Sequence, residues 1–577
     1  MPHPANTVEM VNIRDEIHQL NQQIEVMGCN RWQFQELHRL RQELKQLAQV
    51  ESDAKWTELV LSCEADRTVP SLFWQQVRRL RGNEQEEDKG IKDENNRIRL
   101  DPKGKEEALR KHWQEIFKIQ PEDNIDFDEE NEEMVNQHIG QHQEEFQEEE
   151  TIEFNRLDWD NALISPVTEE EVKARITNLK KKKAPGASKI NAQLLQHATP
   201  NIIQQITNIY NACLSSGYFP KAFKEAIMVL IPKGERDTTN PGNYRPISLL
   251  ENIGKILERI VNERLQGHLE ENQLLNERQF GFRKRRGCQE AIALAAEFIS
   301  QMQASRKIIN VVTRDVSKAF DKVWHEGLRY KIQTQYQLPS LTIKLLSTFL
   351  KQRTARIKVN DYEGPTFDLE SGVPQGSVLG PTLYSLYTND TPEPEPNNLT
   401  LMFADDVTQI ITTDKARRIG LCNRTLNLRT QREVEKQNQY EREWKIKTNM
   451  NKFAVIPVSR RKTHELVIER RRVEYKDKAR ILGFKFRRSG YPRGIEDQAR
   501  RASMQVTKLK RFRAANAKTR VHLYKQLVLP IMEYPPAPTH ELSKSRVATL
   551  QKIQNRALRQ AYNDTSYPPR FTTEKQN

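Results

Sequence analysis

The sequence predicts a large mixed α/β core between two highly charged helical ends. Three observations predict it. At 577 residues the chain is too long for one ordinary domain and suits two to four. From Ile152 to about residue 490, short β-rich apolar runs alternate with amphipathic helices and Pro/Gly turns, the texture of an α/β core. Outside that stretch the apolar residues recur at helical spacing instead.

The N-terminal end reads as helical over residues 1–100. Met10, Ile13, Ile17, Leu20, Ile24 and Met27 step by three and four, a heptad seam that Gly28, Cys29 and Asn30 interrupt. Leu37, Leu40, Leu44 and Leu47 resume it, so residues 8–50 predict an antiparallel hairpin. Self-association through a coiled coil is the rival use of the same residues. Residues 101–164 read as an acidic linker. Within them, 121–150 hold 13 of the 78 acids and none of the 92 Lys and Arg. They alone lower the net charge from +27 to +14. Residues 491–565 read as a basic helical appendage, in which Ile495, Ala499, Ala502, Val506 and Leu509 form the apolar stripe. Residues 566–577 are a tail.

Composition narrows the classes. The hydrophobic fraction is 36%, and no run of eighteen apolar residues is present, which excludes a membrane-spanning helix. The first thirty residues are polar and include Asp15 and Glu16, unlike a secretory signal. The five cysteines, Cys29, Cys63, Cys213, Cys288 and Cys422, are too far apart for a zinc knuckle and predict a reducing compartment. Residues 460–520 carry 21 basic and 6 acidic side chains. Such a body suits a polyanionic partner, although a solvated helix face explains a charge run equally well.

Three carboxylates stand out. Leu401-Met-Phe-Ala-Asp-Asp-Val407 sets a bare Asp405-Asp406 pair between apolar residues, as at a tight hairpin turn. Ile308-Ile-Asn-Val-Val312 is a buried-strand run leading to Asp315. Ser317 then reads as an N-cap, opening a helix striped by Phe320, Trp324 and Leu328. Asp321 falls in its first turn, where the helix dipole explains an acid. Carboxylates on neighbouring strands are the hard oxygen ligands that Mg²⁺ prefers. A pair of such ions can activate a 3′-hydroxyl and stabilise leaving pyrophosphate.

The order of the boxes carries a resemblance. Asp315-Val-Ser-Lys-Ala-Phe-Asp-Lys-Val-Trp-His325, Gly372-Val-Pro-Gln-Gly-Ser-Val-Leu-Gly-Pro381 and Phe403-Ala-Asp-Asp406 follow one another as in the palm. The chain thereby resembles reverse transcriptases of LINE-type (non-LTR) retrotransposons, most closely the Jockey-like group. Leu230-Ile-Pro-Lys233 and Tyr244-Arg-Pro-Ile-Ser-Leu-Leu250 look like its fingers motifs. Gln279-Phe-Gly-Phe-Arg283, Asn449-Met-Asn-Lys452 and Ile481-Leu-Gly-Phe484 look like the remaining boxes.

The resemblance implies a right-hand polymerase: fingers and palm over 165–490 (core 210–490), a helical thumb over 491–565 and a helical N-terminal extension. It implies Asp315 and Asp405 as principal metal ligands with Asp406 supporting, two Mg²⁺ ions or Mn²⁺ in their place, and Lys452 as a proton donor to pyrophosphate. Lys233 and Arg245 should hold the incoming triphosphate. Gln375 and Gly376 should touch the nascent pair and template, and Phe320 should block a ribonucleotide 2′-hydroxyl. Leu482, Gly483 and Phe484 correspond to the primer grip. Implied partners are element RNA, a DNA primer and dNTPs. The implied reaction is target-primed reverse transcription, in the nucleus at integration and in the cytoplasm during ribonucleoprotein assembly.

Two departures stand out. In Lys183-Ala-Pro-Gly-Ala-Ser-Lys-Ile190, Ser188 and Lys189 replace the family's Asp-Gly, which puts local template contacts in doubt. No endonuclease constellation precedes residue 165, so the chain reads as the polymerase half of an element, begun inside the linker and clipped at its C-terminus. The alternative function is a catalytically idle nucleic-acid-binding remnant.

Overall fold

A computed structural model describes residues 8–27, 31–65, 89–118, 127–148, 162–234, 237–414, 419–458, 466–468, 471–473, 475–482, 484–487, 494–534 and 544–562. The chain divides into two compact units, residues 88–491 and a second unit made from 1–87 with 492–577.

In the second unit, α1 (Val8–Met27) and α2 (Arg31–Ala65) pack against each other as a hairpin. Met10, Ile13, Leu20, Leu37 and Leu40 are buried. This packing uses the seam residues that a coiled-coil dimer would need. The Gly28–Asn30 break lies outside the described residues.

The 88–491 unit opens with a small ribbon, β1 (Ile91–Lys92) and β2 (Ile98–Arg99). Where they are described, the residues of the acidic linker expected over 101–164 include two helices. α3 (Pro102–Phe117) starts on Asp101, whose carboxylate accepts from the Gly104 amide, and buries Leu109, Trp113, Ile116 and Phe117. Most of its acids and lysines are exposed, although Lys105 and Glu106 are buried, and its apolar residues keep helical spacing. α4 (Glu129–Glu148) likewise sinks Val135 and Ile139 into the main core. Helices α5 (Glu169–Thr177), α6 (Ala192–Gln196) and α7 (Pro200–Ser216) follow.

The fingers sheet pairs β3 (Glu225–Pro232) antiparallel to β4 (Tyr244–Leu249) and parallel to the distant β6 (Arg353–Val359). Between them run α8 (Asn252–Glu271), α9 (Cys288–Ala304), the palm strand β5 (Ile308–Asp315), α10 (His325–Gln335) and α11 (Ser340–Leu350). β7 (Tyr362–Glu363) and β8 (Phe367–Leu369) complete the sheet on β6. Trp113 and Phe117 of α3 pack on Ala226, Met228, Ala355 and Ile357.

After α12 (Gly380–Tyr387) the palm sheet closes with β9 (Leu399–Phe403), β10 (Asp406–Thr413) and β11 (Ala454–Pro457). The strand order is β11-β5-β10-β9, all antiparallel. α13 (Ile419–Glu443) lies against it. The buried Arg314 of β5 donates to Glu441 (2.9 Å) and Asn438 (2.8 Å) on α13, so the central strand is fixed by a compensated charge. Two short hairpins follow, β12–β13 (Leu466–Ile468, Arg471–Val473) and β14–β15 (Lys478–Ile481, Phe484–Arg487).

In the second unit the appendage folds as α14 (Gly494–Leu509), a 3₁₀ turn Lys510–Phe512, α15 (Ala517–Leu527), α16 (Leu529–Glu533) and α17 (Lys544–Tyr562). Ala502, Val506, Leu509, Leu523 and Ala557 share one core. The cations at 508–513 therefore sit at a helix C-terminus, where the dipole favours them.

Candidate active site

Asp315 ends β5 and Asp406 begins β10, and the two are paired directly across the ladder. β9 and β10 are joined by a two-residue turn, Ala404–Asp405, with Phe403 paired to Asp406. Ala404 has φ +57°, a left-handed conformation that a non-glycine residue adopts only when its surroundings hold it. Here Gln279 does so: its Oε1 accepts from the Ala404 amide (3.1 Å) and the Gly281 amide (2.9 Å). Phe280 and Met402 add backbone bonds to Met402 and Arg278, both 2.8 Å. Gly281 is required by space, since a Cβ there would stand 2.4 Å from the Ala404 nitrogen.

Asp315 and Asp405 open on one cleft of about 740 Å³, which Lys233, Arg245, Phe320, Asp321, Gln375 and Lys452 also line. Of the residues expected in the site, Asp406 and Gly376 are not among its walls. The turn aims Asp405 into the cleft and leaves Asp406 in the sheet. Burial, then the neighbouring charges of Asp405 and Asp315, pushes the Asp406 carboxyl up to about 6. Burial and the Asp315 charge also raise Asp405, against the lowering pull of Lys452 and Arg245. Lys452 Nζ reaches both Asp315 oxygens, at 2.6 and 2.7 Å.

The donor set fits a divalent cation. Two carboxylates facing one cleft repel each other, and a divalent ion relieves that repulsion while taking its remaining ligands from water and phosphate oxygens. The described residues contain no ready-made cage of three or more His, Cys, Asp or Glu.

The basic side of the cleft comes from the β3–β4 hairpin. Lys233 lies one residue beyond Pro232, which pairs with Tyr244, so the β3–β4 hairpin brings Lys233 beside Arg245. Lys233 Nζ donates to the Gly242 carbonyl at 3.2 Å. The loop before α12 joins this side to the palm. The Ser248 amide donates to the Gln375 carbonyl at 2.7 Å, and Gly376, at φ +131°, allows an approach that a Cβ would block at 2.4 Å. Glu258, fully buried, accepts from Ser377 Oγ (2.5 Å) and the Val378 amide (2.6 Å), which fixes the far end of that loop.

The expected helix from Ser317 is absent. Residues 318–322 are turns, Lys318 has φ +50°, and α10 begins only at His325. The Phe320/Trp324/Leu328 spacing mimics a helix because a half-buried turn residue, Phe320, and the buried cap residue Trp324 precede a real one. Asp321 is consequently no dipole-facing acid. It is buried, accepts from Gln375 Nε2 at 2.8 Å, and burial pushes its carboxyl up to about 7. Phe320 stacks on Tyr384 at 4.9 Å between centroids and meets Phe282 edge-on at 5.9 Å.

Leu482, at φ +46°, occupies the β14–β15 turn and does not line the cleft; Gly483 lies outside the described residues, as does the Phe484 side chain. Ser188 anchors its own loop, its amide donating to Glu251 Oε1 at 2.7 Å. Gln279, Gly281 and Asp321 gave no functional signal beyond their place in the boxes.

Residues 231–486 match the family model described as reverse transcriptase (RNA-dependent DNA polymerase). The chain is 29% identical over 410 residues to the RNA-directed DNA polymerase from mobile element jockey of Drosophila melanogaster, covering 69% of this chain and 44% of that one. It is 30% identical over 428 residues to the probable RNA-directed DNA polymerase from transposon BS of the same species, covering 71% and 46%. This chain carries a reverse transcriptase domain of the Jockey-like LINE type. It spans a little under half the length of these curated relatives. Reverse transcriptases use divalent metal ions, in keeping with the paired carboxylates of this one. A solved telomerase from Candida tropicalis with a fragment of telomeric RNA aligns at TM-score 0.36 and 12% identity, covering 65% of this chain and 59% of that one. That likeness is too loose to bear on function.

Proposed function

We propose that this chain is an active RNA-directed DNA polymerase that copies element RNA from a DNA primer, using dNTPs and two Mg²⁺ ions (or Mn²⁺). The observation that carries the reading is the single cleft on which Asp315, Asp405, Lys233, Arg245, Gln375 and Phe320 all open. Asp315 and Asp405 would hold the ions, with Asp406 supporting through its charge. Bound there, Mg²⁺ supplies activation of the primer 3′-hydroxyl and charge stabilisation for the leaving pyrophosphate. Arg245 offers the triphosphate a planar fork and Lys233 a point cation. Phe320, stacked on Tyr384, would block a ribose 2′-hydroxyl. Lys452, ion-paired with Asp315, would donate a proton to pyrophosphate. Leu482, Gly483 and Phe484 would grip the primer.

Target-primed synthesis in the nucleus, after ribonucleoprotein assembly in the cytoplasm, is the setting this reading fits. Primer extension on an RNA template tests it. Extension that needs divalent metal and prefers dNTPs over rNTPs is expected. RNA binding without any extension would leave the idle remnant.

Asp321 adds a pH dependence. Its carboxyl is neutral below about 7 and becomes charged above it, in a cleft meant for a polyanion. The KM for dNTP should therefore rise as pH passes through about 7. Asp321→Asn, which still accepts from Gln375 and does not titrate, should show no inflection there. An identical inflection in both proteins would remove Asp321 from the binding step.

The basic turn makes a separate prediction. Replacing Lys508, Lys510, Arg511 and Arg513 by Gln should weaken template–primer binding on every sequence. Each lost phosphate contact should flatten the slope of log K against log salt by about 0.7–0.9. Single-nucleotide incorporation at saturating template–primer should hardly change. An unchanged slope would make these cations solvated charges only.

A further inference from the structure

A second cavity, of about 360 Å³, adjoins the end of the catalytic strand. Its size falls within the ~300–1,000 Å³ usual for small-molecule sites. Val316, Ser317, Lys318 and Ala319 line both this cavity and the catalytic cleft, so the segment after Asp315 is a shared wall. The other walls bring Lys118, Lys322, Lys445 and Lys447 around a floor of Trp324, Tyr384 and Tyr387. Lys445 is paired with Glu132 and lies 4.7 Å over the Trp324 ring. Among the described residues, no Asp or Glu lines the cavity.

Lys118, Lys322 and Lys447 beside an aromatic floor select a ligand that is polyanionic at one end and flat at the other, whereas Lys318 Nζ lies over the Trp113 ring at 5.9 Å. Ammonium groups on flexible stems suit phosphate oxygens, and aromatic faces suit a base of any sequence. The wall is also tied to the catalytic residues. The Ser317 amide donates to the Lys447 carbonyl at 2.8 Å, and the Val316 amide to the Asp405 carbonyl at 3.3 Å.

We propose that this cavity is a second nucleotide site, taking a nucleoside triphosphate with its phosphates among the lysines and its base on the aromatic floor. The site stands on the cavity itself. Only the view that its occupant is a polymerase substrate rests on the proposed function.

Calorimetric titration of the full chain with dGTP, without divalent metal, tests it, with sodium pyrophosphate as the second probe. Two dGTP sites per chain are expected. The triple variant Lys118→Gln, Lys322→Gln, Lys447→Gln should weaken one at least tenfold and spare the other, while Arg245→Gln does the reverse. Lys118 and Lys447 are exposed and Lys322 half-buried, so an unchanged melting curve should accompany the loss. A chain inactive in primer extension that still shows the lysine-dependent site would sink the polymerase reading and keep this one. A single wild-type site that is removed by Arg245→Gln and untouched by the triple variant overturns the proposal. Pyrophosphate binding as tight as dGTP overturns the seating of the base.

Discussion

Asp405→Asn should abolish primer extension while leaving RNA affinity nearly intact. The substitution keeps the shape of the Ala404–Asp405 turn and removes one of the carboxylates that face the cleft. Charge on a metal ligand is worth several kcal/mol to a metal-assisted step, so a loss beyond a hundredfold is expected. RNA affinity depends instead on cations spread over the chain, of which it has 92. Single-nucleotide incorporation and filter binding, measured on the same preparation, separate the two. Activity above roughly a hundredth of wild type would take Asp405 out of the metal site.

Gly281→Ala should cost almost as much without touching any reacting group. The added methyl would stand 2.4 Å from the Ala404 nitrogen and 3.1 Å from the Phe403 carbonyl carbon, both backbone. Neither neighbour can rotate away, so the hairpin that carries Asp405 must shift. A displacement of about 1 Å at a reacting centre costs on the order of a hundredfold in rate. The expected result is a kcat lower by about that factor, with the KM for dNTP little changed because Lys233 and Arg245 belong to another sheet. A variant with wild-type kcat would show that the hairpin does not lean on the Gln279–Gly281 segment.

The palm was largely legible in the sequence. Ile308–Val312 and Leu401–Phe403 are apolar runs ending in acids, and hydrophobic period places them as buried strands wherever they fall. What misled was local spacing without its context. Phe320 and Trp324 are four apart in a turn held by the Val373 and Gly372 amides, which donate to Phe320 (2.7 Å) and Val323 (2.8 Å). Those bonds come from a loop fifty residues away, and no local pattern reports them. The helices within the acidic stretch were hidden for a related reason. Composition counts the outer face of α4, whereas Val135 and Ile139 on its inner face sink it into the core. Gln279 and Gly281 were invisible as functional residues because their partner is the backbone of a distant turn.

The parallel pairing of β3 with β6 bears on how the protein is made. Glu225 and Arg356, ion-paired across these strands, are 131 residues apart in sequence. At ~5–20 residues per second a ribosome needs roughly 7–26 s to make that interval. Throughout it, the apolar run Ala226–Leu230 has β4 on one side and an open hydrogen-bonding edge on the other. Such an edge recruits other chains. Synthesis of this protein therefore has a vulnerable interval, and nascent chains stalled before Arg353 should bind chaperones that release chains extended beyond Leu369.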